Sequence, residues 1–241
     1  MISIIIPTLK EEKVIGLILN SLKSNLQLPH EIIISDGGSK DKTIEIAKQY
    51  TNKVVVFSGL NRQTIAQGRN DGAKTAVGEF LVFLDADCSI PNPNQFFKMA
   101  LANFEANKNL VALAGQILVK PEHETRTDKF FFGLMNFLTR IKNNKFNSGD
   151  AAGGEFQMIR RESFKLVNGY REDLVTREDR DLFKRLSKIG KVTSDPKLIV
   201  YHTGRRAHQV GWSRLVVLFL INTVHFHVFD KVFSKEWTEI R

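Results

Sequence analysis

The chain has a single cysteine, Cys88, among its 241 residues. An internal disulfide is therefore excluded, and a reducing compartment is the expected setting. Cys88 directly follows a strand end, where a small buried residue is expected rather than a nucleophile. No apolar run reaches the roughly 18 residues that a spanning helix needs, so no transmembrane segment is expected. Residues 2–6 are too few for the h-region of a signal peptide, and Pro7 ends them, so no secretory leader is expected. Internal repeats, low-complexity tracts and linkers are also missing. Tyrosine is scarce, with 3 against 18 phenylalanines, a bias that suits an apolar contact surface. Acid is in deficit: 26 Asp and Glu against 35 Lys and Arg leave a formal net charge of +9. The basic residues are dispersed among acids, with no dense run and no nucleic-acid motif, so nucleic acid is not expected as a partner. A membrane surface or a phosphorylated ligand is the better reading of that charge.

The most informative feature present is Glu79-Phe80-Leu81-Val82-Phe83-Leu84-Asp85-Ala86-Asp87. Its apolar run reads as a buried strand. Two carboxylates at its end leave that core abruptly. In an open α/β sheet, ligands sit beyond the carboxyl ends of the strands. Paired oxygens there can hold a hard divalent cation, which also takes substrate phosphates. The plain alternative is an acid that caps a helix or shapes a turn.

Around this segment the first half alternates strand and helix. Strands are expected at 3–6, 31–35, 53–57 and into Asp85. Helices are expected at 11–22, 41–50 and 64–75. That alternation implies βαβ units and a mainly parallel sheet. In the second half, helices are expected at 94–107 and 161–167, and strands at 110–119, 156–159 and 198–201. Residues 176–189 show a clear amphipathic period closed by Gly190. Residues 212–229 form a long apolar helix. A main domain over 1–210, with a nucleotide half over about 1–90 and a second half over 91–210, is the simplest division. The C-terminal apolar helix within 211–241 then packs on the domain or at a membrane surface.

Four segments stand in one order. They are Ile4-Ile5-Ile6-Pro7-Thr8-Leu9-Lys10-Glu11-Glu12; Ile33-Ile34-Ser35-Asp36-Gly37-Gly38-Ser39; Gly68-Arg69-Asn70-Asp71-Gly72 followed by Phe83-Leu84-Asp85-Ala86-Asp87; and Arg177-Glu178-Asp179-Arg180-Asp181-Leu182. Together they resemble family 2 glycosyltransferases over roughly residues 1–205. The resemblance implies a GT-A fold, a Rossmann-like, mainly parallel α/β sheet flanked by helices, and inverting transfer from a nucleotide-sugar. Lys10 stands where the family commonly has Asn.

The resemblance assigns roles residue by residue. Pro7, Thr8 and Glu11 lie where the family holds base and ribose. Asp36 matches a base-contacting Asp, with an Asp-Gly turn as the plain alternative. Arg69 faces the diphosphate or braces the site. Asp85 and Asp87 match the Asp-x-Asp that binds Mg2+ or Mn2+ and, through Asp85, the ribose. Asp179 matches the general base, with Glu178 supporting it or the acceptor site. Thr176 as N-cap with Asp179 three residues on is the structural alternative. Gly153 and Gly154 match a Gly-rich stretch near the donor sugar. His202 is a candidate metal ligand, and Arg205 and Arg206 are candidates for phosphate through their forked donors.

The implied partners are a UDP-, GDP- or dTDP-linked sugar and a glycan or lipid-linked acceptor of the cell envelope. Residues 214–229 and the cluster Phe130-Phe131-Phe132-Gly133-Leu134-Met135-Asn136-Phe137-Leu138 are apolar, with Trp212, Trp237 and basic residues flanking the first. An interfacial position is expected, cytoplasmic and peripheral at the inner face of the membrane. Burial on the domain or in a homodimer is the alternative. Processive members carry Gln-x-x-Arg-Trp. Here Gln209-Val210-Gly211-Trp212 lacks the Arg, so single-sugar transfer is expected. A sugar-phosphate nucleotidyltransferase typically opens with a Gly-rich segment after strand one, which is missing here. A non-catalytic module does not explain Asp85, Asp87 and Asp179 standing together.

Overall fold

A computed structural model describes residues 1–151 and 153–234. Trp237 lies outside the described residues. Among the described residues, seven strands make one sheet: β1 (Ile2–Thr8), β2 (His30–Asp36), β3 (Val54–Val56), β4 (Phe80–Leu84), β5 (Leu110–Val119), β6 (Phe156–Arg160) and β7 (Lys191–His202). Their spatial order is β3-β2-β1-β4-β6-β5-β7. β1 pairs in parallel with β2 and β4, β2 with β3, and β5 with β7. Only β6 runs antiparallel, between β4 and β5. The expected mainly parallel α/β architecture is therefore present.

Among the described residues, nine helices accompany the sheet: α1 (Ile15–Asn25), α2 (Thr43–Lys48), α3 (Ile65–Thr75), α4 (Pro93–Ala106), α5 (Arg126–Phe146), α6 (Arg161–Leu166), α7 (Glu178–Leu186), α8 (Arg205–Val210) and α9 (Trp212–Phe229). Helices on both faces explain why β1 and β4 are buried at every position. Alternate residues feed separate cores. Ile4, Ile6, Val82 and Leu84 join Ile18, Leu22 and Phe97 on one face. Ile5, Ile33, Leu81 and Phe83 join Ala66, Phe183 and Leu186 on the other. Gly72 lets α3 lie close to the sheet, since a Cβ there would stand 2.5 Å from Ile5 Cγ2.

Helix ends depart from the sequence pattern in one instructive place. Residues 176–189 read as one amphipathic helix, yet α7 starts at Glu178. Its N-cap is Arg177, at φ 67°, with no side-chain cap bond. The capping pair of Thr176 and Asp179 is thus not formed, because the Asp179 carboxylate turns to other partners. The period of the apolar residues could not reveal that competition. Elsewhere side chains close the helix ends: Thr64 and Gln67 form a capping box on α3, and Thr125 and Asp128 form one on α5.

Asp128 does more than cap. It is fully buried. Its Oδ1 accepts the Trp212 indole N–H at 2.7 Å, and its Oδ2 lies 2.8 Å from His208 Nε2. Trp212 also stacks on Phe131 at 4.5 Å and meets Phe132 edge-on at 5.1 Å. One carboxylate thereby ties the first turn of α5 to α8 and α9. Against the cost of burial, the bonds from His208, Thr125 and Trp212 hold this carboxyl down at about 2. A depressed folded-state value stabilises fully above the unfolded value and is lost as pH falls through the folded one. Acid unfolding of the chain should therefore steepen between about pH 4 and 2, and Asp128→Ala should remove that component. The same variant orphans the indole and the Thr125 amide. Urea denaturation at pH 7 should show a loss on the order of 1–3 kcal/mol.

Candidate functional site

β1, β2 and β3 step outward on one side, while β4 begins the other half of the sheet. The strand order reverses between β1 and β4, where a ligand crevice opens beyond the carboxyl ends. Thr8, Asp36 and Asp85 all stand at those ends. Beyond β1, Thr8 Oγ1 donates to Asp36 Oδ2 at 2.7 Å. Asp36 also accepts from Gly38 N at 2.9 Å, Ser39 N at 2.7 Å and Ser39 Oγ at 2.7 Å. Its buried carboxylate therefore closes the turn after β2, as an Asp-Gly turn would. Pro7 is buried within β1.

Arg69 is the centre of the arrangement. It projects from α3 and is 2% exposed. Its Nη1 donates to Asp179 Oδ1 at 2.7 Å and to Glu178 Oε1 at 3.0 Å. Its Nη2 donates to Asp85 Oδ1 and to the Gly154 carbonyl, both at 3.2 Å. The guanidinium carbon lies 5.4 Å from the Tyr170 ring. Arg69 thus braces the end of β4 against the start of α7, and does not turn outward to a phosphate. Gly154 has a packing reason: a Cβ there would stand 2.0 Å from Arg69 Nη2. Asp179 also accepts from Gln157 Nε2 at 2.6 Å, and Gln157 in turn accepts from the Tyr170 hydroxyl at 2.6 Å. Both bonds to Asp179 land on Oδ1.

The second cation of the site is Arg205. It clasps Glu11 with two bonds, of 2.9 and 2.8 Å. Its Nε lies 3.4 Å from Asp87 Oδ2, which also accepts the Thr203 hydroxyl at 2.5 Å. Its fork is therefore spent on Glu11, and it positions the acid of β1's end instead of presenting five free donors.

Carboxylates outnumber cations here. Burial raises the Asp85 carboxyl; Arg69 opposes this, while Asp87 and Asp179 reinforce it. Burial, then Asp179, raises Glu178 against the pull of Arg69. Glu155, at the start of β6, is also raised, first by burial and then by Asp85. Its Oε2 is buried without a hydrogen-bond partner. His202 Nδ1 lies 3.9 Å from Glu155 Oε1, and its buried Nε2 has no partner. Burial lowers His202, which keeps the imidazole neutral.

The two orphaned buried atoms, Glu155 Oε2 and His202 Nε2, lie near the Asp85 and Asp87 carboxylates. Among the described residues no group of three or more His, Cys, Asp or Glu side chains is placed to hold a metal ion. Mg2+ is in general held by one or two carboxylates, waters and substrate phosphates, without a dedicated protein cage. An anionic ligand entering this acid-rich crevice would need such a cation.

Sequence reasoning did not single out Glu155, Gln157 or Tyr170. Glu155 follows Gly153-Gly154, and that glycine pair was its only signal. Gln157 and Tyr170 gave none, because their role depends on β6 lying next to β4.

The family model described as "Glycosyl transferase family 2" matches residues 3–167. The O-antigen chain rhamnosyltransferase WbaN of Salmonella anatum is 28% identical over 169 residues, covering 67% of this chain and 52% of that protein. This chain spans about half or less of the length of the curated relatives it matches first. Among solved structures, the mannosyltransferase PcManGT of Pyrobaculum calidifontis, in complex with GDP-Man and Mn2+, superposes with a TM-score of 0.73 at 17% identity. It covers 94% of this chain and 64% of that one. Residues 1–349 of TarS from S. aureus, in complex with UDP-GlcNAc, give 0.65 at 20% identity, covering 98% and 68%. At these identities the structures establish the GT-A fold alone.

Proposed function

Because the chain belongs to glycosyl transferase family 2, we propose that it moves one sugar from a nucleotide-diphosphate sugar to an acceptor hydroxyl, with inversion at the transferred carbon. The observation that carries this reading is the bridge from Asp85 through Arg69 to Glu178 and Asp179. It joins the nucleotide half, about 1–90, to the acceptor half, about 91–210, at the switch point of the sheet.

Pro7, Thr8, Glu11 and Asp36 border the space for base and ribose, and Asp85 and Gly154 border the donor sugar. Asp85, Asp87 and His202 would hold Mg2+ or Mn2+. The ion, when bound, supplies Lewis-acid stabilisation of the leaving diphosphate. Asp179 takes the proton of the acceptor hydroxyl as that oxygen attacks the sugar carbon from the opposite face. Arg69 and Gln157 fix its Oδ1, which orients the carboxylate. Glu178 shares the same guanidinium and supports Asp179.

The relatives' names point to an envelope acceptor, a glycan or a lipid-linked one. They include an O-antigen chain rhamnosyltransferase and a poly(ribitol-phosphate) β-N-acetylglucosaminyltransferase. Phe130, Leu134, Phe137 and Leu138 expose an apolar stripe on α5 at helical spacing, beside exposed Lys129 and Arg140. No helix among the described residues is long and apolar enough to cross a membrane. We place the chain on a membrane surface by this stripe and by α9.

Thermal-shift titration with UDP-, GDP- and dTDP-sugars tests the first reading. One donor class should raise the melting temperature in the presence of Mn2+ and lose that effect in EDTA. Product NMR should then show an inverted anomeric centre. No response to any donor would count against transfer. Co-sedimentation tests the second reading: the chain should pellet with phosphatidylglycerol-containing vesicles, more weakly at high salt, and much less as the Phe137→Asp variant. Absence from both anionic and neutral vesicles would remove the membrane reading.

A further inference from the structure

α9 carries two different faces. Leu215 and Asn222 are 3% and 1% exposed, and Thr223 and Phe226 lie along the same side of the helix. That side docks on the domain. Val217, Leu220, Ile221, Val224 and Val228 recur on the opposite side and are exposed. The docked side reaches one residue of special conformation. Arg177, immediately before the two acids at the head of α7, has φ 67°, a left-handed backbone that a long side chain rarely adopts. Its carbonyl accepts the Asp181 amide at 3.0 Å and so opens the helix. Its side chain leaves the catalytic crevice altogether. Arg177 Nη1 donates to Thr223 Oγ1, and its guanidinium carbon lies 5.2 Å from the Phe226 ring. Arg171 approaches the other side of that grip, with its guanidinium 5.9 Å from Phe226 and a 2.9 Å ion pair to Asp230.

Strain of this kind persists only where surrounding contacts determine it. Among the described residues, the hydrogen bond and the ring contact of the Arg177 side chain both go to α9. We infer that Arg177 is a positioning residue, and that α9, through Thr223 and Phe226, sets the backbone from which Glu178 and Asp179 project. Docking of α9 and alignment of the proposed base are then one structural event. This inference rests on the transfer reading for its catalytic consequence, but its structural half stands without it.

Three variants of the full chain test it. Arg177→Gly keeps the left-handed turn, which glycine adopts without penalty, and cuts the link to α9. Thr223→Val combined with Phe226→Leu cuts the same link from the α9 side. Arg177→Lys retains a cation for Thr223 and the ring. Hydrogen exchange of the amides of residues 178–182 should quicken by about tenfold or more in the first two variants, with β1 and β4 unchanged. With the donor found by thermal shift, kcat should fall by about tenfold or more while the donor KM stays within about threefold, because misplacement of a catalytic group costs rate. Arg177→Lys should recover most of both. Unchanged exchange at 178–182 overturns the coupling, whether or not any donor responds. Faster exchange with unchanged kcat overturns the positioning role. Parallel change in kcat, KM and melting temperature reduces α9 to general stability and overturns it too. If no donor binds, the transfer reading fails and the exchange result alone decides the coupling.

Discussion

A guanidinium buried away from water is costly unless carboxylates surround it. Arg69, on α3, is in that position, and the end of β4, the approach to β6, the segment after α6 and the start of α7 each give it something. Asp85, Glu178 and Asp179 bring carboxylates, Gly154 gives a carbonyl, and Tyr170 offers a ring face. Removing one member would leave charge stranded in a dry place, so the set stands or falls together. That constraint fixes the spacing between the two ends of the crevice. It also crowds the carboxylates: burial raises Asp85 and Glu178, their acidic neighbours add to that rise, and Arg69 opposes it. Gly153 and Gly154 are shaped by the same constraint: a Cβ at Gly153 would stand 2.2 Å from Glu155 Oε2.

Much of this was legible in the residues. The strand ending in Asp85-Ala86-Asp87 was visible because a fully buried parallel strand must be apolar throughout, so polar residues mark its end. The alternation of strands and helices through residue 87 followed from period and turn chemistry alone. Asp179 was legible through its motif and not through its helix, whose start the apolar pattern misplaced by two residues. Local signals placed Thr176 as the cap; the long-range pull of Arg69 and Gln157 on Asp179 overrode it. The inward aim of Arg69 and Arg205 was hidden for the same reason. A sequence shows that an arginine is present but not how many acids the fold will bring to it. Glu155 and His202 are separated by 47 positions and meet only because β5, β6 and β7 pair.

The C-terminal helix shows the opposite limit. Its apolar content was plain, and low amphipathicity made it hard to say which side was covered. The fold resolves this by using both sides, one against Arg177 and the domain, one outward. Asp128 and Trp212 anchor the start of the helix, Thr223 and Phe226 its middle. The C-terminal helix and the helix that opens on Glu178 and Asp179 thus share one arginine.

On the proposed reading, the Asp85 end would hold the donor and Asp179 would accept the proton. The most direct measurement is turnover and donor affinity of Asp179→Asn, with Mn2+ present. Donor affinity should stay within about threefold of wild type while kcat falls by about 10²–10⁴, the usual worth of a general base. Turnover at the wild-type rate would contradict the account.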